Sequence, residues 1–325
     1  MRQGENPVKN KSEKNTLKPH RVIVVFYIPD SDDAYFKNLD VVLDKCLESL
    51  SKTINFESTN ITLLNNNSSK KIDLVLDKYK DNIDKYVYYS ENKGKIYAVI
   101  NEVRGVFEPF VTIADADVLF YSGWEKAVFE IFNKIPKAGV VSPMPLPYLA
   151  IHFNQSVFAN SLKGQIKYDK YVADYDIDLY LAGTNLPKLI DRKTKYNWKE
   201  KQFVLDQNNC ISVVGAYHVI STYRTEQFRN IYTFPEIKFK NSYENYFIDS
   251  LADVKGLYRL STIKTFAYHM GNNTDEVVLN HSYDDSKKID SAFFKSIEPY
   301  KKQNALAIFI KRIMGRIFIK FLWNK

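Results

Sequence analysis

An α/β fold with its chemistry at the carboxyl ends of the strands is the class this sequence predicts, and three observations predict it. Short runs of β-branched and aromatic residues alternate with stretches of helical periodicity from residue 21 to about residue 140. One run, VTIADAD, ends in two carboxylates a residue apart, Asp115 and Asp117. With 45% hydrophobic and 14% aromatic residues in 325, the chain can also bury a full core.

RVIVVFYIP reads as a strand ended by Pro29, and Leu39, Leu43, Leu47 and Leu50 mark a helix after it. ITLLNNNSS is a second strand running into an Asn/Ser turn, which completes a βαβ opening. A helical stretch around Ile72 to Tyr79, a short strand YVYYS, the loop ENKGK, a helix from Ile96 to Phe107 and the strand VTIADAD come next. In such a sheet, Asn65 to Ser68 and Asp115 to Asp117 fall on one rim.

From Ser142 to about Ile211 the pattern loosens. PMPLPYLAIHF, a Tyr- and Asp-rich stretch and a Lys-rich segment read as a long excursion over the sheet. Regular patterning returns with ISVVGAYHVISTYRTEQF, a helix SYENYFIDSLADVKG closed by Gly256, and LYRLSTIKTFAYHMGNN. Together these predict one domain over 21–300, with a first half to about 140 and a second beyond it, preceded by a disordered basic tail over 1–20.

Composition excludes several classes. The two cysteines, Cys46 and Cys210, are far apart and give neither a disulfide framework nor a zinc site. The net charge of +8 lies in the ends: residues 1–20 carry +3 and residues 301–325 carry +7, which leaves the body at −2. A nucleic-acid-binding face is therefore unsupported. The first twenty residues lack the apolar core of a secretory signal, and no run approaches the ~18 apolar residues of a membrane span. The expectation is a cytoplasmic protein.

Two adjacent acids repel unless something positive lies between them. At a strand end, the choice is between an Asx-type turn and a divalent metal site. The surrounding motifs bear on that choice. LLNNNSS, ENKGKIYAVINEVRG with Asn92, Gly94 and Asn101, the D-x-D of Asp115 and Asp117, GAYHVISTYR, SYENYFID and YHMGN come in an order that resembles the GT-A fold glycosyltransferases, particularly family 2, over roughly residues 20–275. The resemblance implies a mixed sheet flanked by helices and a nucleotide diphosphate-sugar donor, expected to be UDP-linked. It also implies Mn²⁺ or Mg²⁺, with Asp117 as direct ligand, Asp115 shared between metal and ribose, and His269 as third ligand or diphosphate contact. Lys93 and Lys95 would add charge near the diphosphate, and Tyr27, Asn66 and Asn92 would hold the nucleotide. His152 and His218 read as structural.

Inversion at the anomeric carbon needs a base, and the family places a Glu-Asp pair where this chain has Glu244-Asn245. Asn cannot serve, so Glu244 is the expected base, with Asp249 one turn on as the other candidate. Two alternatives stand beside this reading. One is a non-catalytic membrane-bound scaffold of the same fold, favoured by Asn65 and Asn245. The other is a haloacid-dehalogenase-like phosphatase, disfavoured because its D-x-D opens the chain and is followed by Thr or Val where Leu119 stands here.

The last segment explains the basic C-terminus. In NALAIFIKRIMGRIFIKFLWNK, Leu306, Ile310, Ile313, Ile317 and Phe321 form one stripe, with Lys311, Arg312, Arg316 and Lys320 on the other side. A basic amphipathic helix over 301–325, lying on the anionic inner face of the cell membrane, is the expectation. It points to a lipid-linked or polysaccharide acceptor in bacterial surface glycan synthesis.

Overall fold

The structure, a computed structural model, describes residues 4, 16–184, 197–231, 233–240 and 243–323. Most of the basic N-terminal tail, and residues 185–196 of the Lys-rich segment, lie outside the described residues. The first half runs β1 (His20–Phe26), α1 (Leu39–Thr53), β2 (Thr59–Asn65), α2 (Asp73–Tyr79), β3 (Lys85–Tyr88), α3 (Lys95–Val103) and β4 (Phe110–Asp115). The first strand begins at His20 rather than after it. The ring is fully buried between Thr59, Thr112 and Glu125, so residue 20 belongs to the core and not to the tail.

β1 shows why this region folds as it does. Val22, Val24 and Phe26 face one side with Leu43, Leu47 and Leu50 of α1, while Ile23 and Val25 face the other with Val99 and Val103 of α3. A strand apolar on both faces is a central parallel strand, and β1 lies parallel to both β2 and β4. Each such side chain contributes about 1.5–3 kcal/mol when fully buried. α3 ends at Val103, short of the expected Phe107, with Gly105 following it.

The chain continues through β5 (Val118–Phe120), α4 (Trp124–Lys134), β6 (Ala138–Ser142), α5 (Gln155–Phe158), β7 (Ile166–Asp169), α6 (Asp174–Thr184), β8 (Gln202–Gln207), β9 (Cys210–Val214) and β10 (Ile220–Arg224). The expected excursion over the sheet contributes two strands to it, β7 and β8, at one edge. The ten strands order as β3-β2-β1-β4-β10-β6-β11-β9-β8-β7, where β11 is Tyr258–Ser261. The Tyr- and Asp-rich stretch divides into the edge strand β7 and α6, whose first turn carries Asp174 and Asp176, where acids favour a helix start.

The helix expected over 242–256 is a π-helical turn, Asn245–Asp249, followed by α7 (Leu251–Val254) and Gly256 at φ +73°. Beyond β11 lie β12 (Ala267–His269), α8 (Glu276–Leu279) and α9 (Ala305–Trp323). β12 pairs antiparallel with β5 in a separate two-stranded sheet. The turn that carries Asp115 and Asp117 is thus where the chain passes from the large sheet to the small one. That change of partners leaves the turn open at the rim.

Candidate active site

Asp115 closes β4, its amide donating to Val219 O at 2.8 Å. Asp117 precedes β5, and the pairing of β5 with β12 sets His269 opposite Val118. His269 Nε2 therefore stands 3.0 Å from Asp117 Oδ2. Each acid has its own partner, because Lys95 Nζ lies 2.5 and 2.7 Å from the two oxygens of Asp115. Burial pushes the Lys95 ammonium down, but attraction to Asp115 outweighs it and holds the group above its ordinary range. Burial likewise works against a charged His269, and the bond to Asp117 more than compensates, leaving that imidazole raised. For Asp115 burial pushes up and Lys95 pulls down, with Asp117 adding to the rise.

The acids form one wall of a cleft of about 590 Å³. Tyr27, Tyr35, Phe36 and Phe239 supply aromatic surface, and Asn66, Asn92 and Lys95 line it too. Sequence reasoning misses Tyr35, Phe36 and Phe239; the signal is aromatics in polar loops, which pattern alone does not place.

The loop after β3 is tied to the β2 turn by side-chain bonds. Asn66 Nδ2 donates to Asn92 Oδ1 and the Lys93 amide donates to Asn66 Oδ1, both at 2.9 Å. Asn92 Oδ1 also accepts from the Gly94 amide. Asn66 is thus largely engaged in holding the loop. Asn65, where an Asp was the family expectation, accepts from the Ser68 amide and donates to Tyr86 Oη. An amide accepts the first and donates the second, whereas a carboxylate could only accept in both. Lys93 pairs with Glu91 and is not among the residues that line the cleft. Gly94 sits at φ +81°, and a Cβ there would lie 2.2 Å from Lys238 O, so only glycine lets the segment bearing Phe239 close on this loop.

On the other flank, Glu244 is half-buried and its charge is felt at Lys95 and Tyr217. Asp249 does not present itself to the cleft. It is 5% exposed, with Oδ2 on His218 Nδ1 at 2.9 Å and Oδ1 3.2 Å from the buried Arg259. Both of its oxygens are engaged by these two contacts. His218, expected to be structural, precedes Val219, whose carbonyl accepts the Asp115 amide.

Residues 35–231 match the family model described as Glycosyl transferase family 2. The chain belongs to glycosyl transferase family 2. Its matched region contains the D-x-D acids, Lys95 and His218, and ends before Glu244, Asp249 and His269. Three solved structures are similar to it. A mannosyltransferase from Pyrobaculum calidifontis, in complex with GDP-Man and Mn²⁺, is 15% identical at TM-score 0.43, over 77% of this chain and 56% of that one. S. aureus TarS 1-349 is 14% identical at 0.45, over 78% and 60%. Its complex with UDP-GlcNAc gives 15% and 0.46, over 82% and 62%. The chain thus spans about 60% of the length of these proteins, and the assignment rests on the family match. No curated protein matches the sequence.

A metal is implied by the resemblance, and the donor set can be tested against it. Among the described residues no three His, Cys, Asp or Glu side chains form a ready-made cage. Asp117 Oδ1, however, is buried with no hydrogen-bond partner among the described residues, and Asp115 and His269 stand beside it. Such a set fits Mg²⁺ or Mn²⁺ held by one or two carboxylates and completed by substrate phosphates.

Proposed function

We propose that the protein is a metal-dependent, inverting glycosyltransferase that moves a sugar from a nucleoside diphosphate donor to a hydroxyl group. The observation that supports this most is the unbonded, buried oxygen of Asp117 in the wall of a cleft lined by aromatic residues, in a chain of this family. Asp117 would hold the ion, with Asp115 and His269 completing or orienting its shell. When bound, the ion supplies positive charge to the departing diphosphate. Lys95 pairs with Asp115 and adds a second cation beside the phosphates. Tyr27, Tyr35 and Phe36 offer faces for the base, and Asn66 and Asn92 keep the loop beneath it in place. The proton of the acceptor hydroxyl has to leave on the flank of Glu244 and His218.

The acceptor side is read from α9. Leu306, Phe309, Ile310, Ile313, Ile317 and Phe321 are all exposed, with Arg316 and Lys320 exposed beside them. No helix among the described residues is long and apolar enough to cross a membrane. An apolar stripe flanked by cations suits an anionic bilayer surface, and the proposal is a peripheral enzyme on the inner face of a bacterial membrane with a lipid-linked or polysaccharide acceptor.

The test is a thermal-shift screen of UDP- and GDP-sugars with and without Mn²⁺, followed by release of nucleoside diphosphate. A donor that raises Tm only with the metal, and is then cleaved, supports the reading. Binding without turnover under all conditions favours the scaffold alternative.

A further inference from the structure

The transfer proposed above needs a group to take the acceptor's proton, and the assignment of that group rests on the transferase reading. Asn245 cannot take it and Asp249 is closed off, but Asp249 holds an imidazole whose second nitrogen is not engaged by it. We propose that His218 is the general base of the transfer and that Asp249 is its positioning residue.

Three features carry this. First, the bond from His218 Nδ1 to Asp249 Oδ2 at 2.9 Å selects the tautomer with the proton on Nδ1, which makes Nε2 the basic nitrogen. The ring keeps 15% of its surface open while Asp249 keeps 5%, so the base is reachable and its orienting group is not.

Second, the loop that carries His218 is fixed. Arg259 donates to Ala216 O at 2.5 Å and to His152 O at 2.7 Å, and pairs with Asp249 at 3.2 Å. Gly215, at φ +132°, approaches so closely that a Cβ would lie 2.4 Å from Leu146 O. The π-helical turn closes Ser250 N on Asn245 O at 3.0 Å and carries Asp249 into this buried position. Such single π turns recur at functional sites.

Third, the loop lies against the metal-binding strand end. Val219, the next residue, accepts the Asp115 amide at 2.8 Å. The Tyr217 ring packs on the imidazole at 4.2 Å between centroids.

In the step itself, the acceptor O–H bond breaks and its proton goes to His218 Nε2. The acceptor oxygen bonds to the anomeric carbon as that carbon's bond to the diphosphate oxygen breaks. The electron pair leaves with the diphosphate.

The experiment uses the full chain, Mn²⁺ and whichever UDP- or GDP-sugar the screen finds, with water as acceptor and nucleoside diphosphate release as readout. His218→Gln should lower kcat on the order of 10²-fold, with the donor-induced thermal shift unchanged. Asp249→Asn should lower it less. Added imidazole should restore turnover to His218→Ala, a rescue that a purely structural histidine does not show. Wild-type turnover in both His218 variants overturns the proposal, as does loss confined to Glu244→Gln, which assigns the proton to that carboxylate. Loss in His218→Ala without rescue, accompanied by a lost thermal shift in His218→Gln, returns the residue to a structural role. If wild-type protein neither binds nor cleaves any nucleotide sugar, the transferase reading itself falls and takes the base with it.

Discussion

Asp117 and Asp249 each face a histidine at hydrogen-bond distance, 3.0 Å to His269 and 2.9 Å to His218. Their second oxygens differ. Asp117 Oδ1 has no hydrogen-bond partner among the described residues, whereas Asp249 Oδ1 lies 3.2 Å from Arg259. An acid with an unbonded oxygen in a cleft is ready to change partners when a cation arrives; one held at both oxygens keeps a geometry. The same two residue types thus serve exchange on one flank of β4 and rigidity on the other, and the difference lies in the third group.

That contrast can be broken from either side. The largest effect is expected at Asp249→Ala, which strands Arg259, 1% exposed, without its carboxylate. A loss of about 3–5 kcal/mol in urea unfolding is the expectation, and a loss below about 1 kcal/mol would erase the distinction. Asp117→Asn should leave unfolding nearly unchanged but reduce Mn²⁺-dependent donor cleavage on the order of 10²–10³-fold. Unchanged cleavage would remove Asp117 from the metal. A smaller effect belongs to His269→Ala, where metal-dependent donor affinity should fall on the order of tenfold; equal affinity by titration would make His269 a structural partner of Asp117 only.

The smallest structural effect, and the sharpest separation from catalysis, should come from Ile313→Asp with Ile317→Asp. Both residues are exposed, so stability should hold within about 0.5 kcal/mol. Co-sedimentation with anionic vesicles should be lost. Deleting the whole helix is a poorer test, because Arg312 pairs with the buried Asp253 at 3.0 Å and truncation would strand that acid.

How far the sequence can be read depends on the range of the forces involved. Local patterning places β1, α1, β2, α3 and β4, because burial on two faces writes itself into alternate residues. The D-x-D turn is legible for the same reason, being the end of such a strand. Its counter-ions are only partly so. Lys95 and His269 are expected at the diphosphate and the metal, but that each already pairs with one acid depends on tertiary contacts. For His269 the contact is the pairing of β5 with β12, between residues about 150 apart. His218 reads as structural from sequence because nothing near it announces Asp249 or Arg259. β7 and β8 escape notice as sheet strands because their partners are each other and β9, across residues that pattern leaves shapeless.

In α9, Gly315 lies so close to α5 that a single added carbon would come within 1.8 Å of Gln155 O. Arg312 fastens the same face to Asp253, whose carboxylate also accepts from the Ser156 amide. The helix is therefore a mount and not a tether. On the membrane-surface proposal, that surface would meet the cleft at one height and one tilt, and an acceptor anchored in it would have to arrive within a narrow span above it. Reach, rather than recognition alone, would then select which hydroxyl is glycosylated.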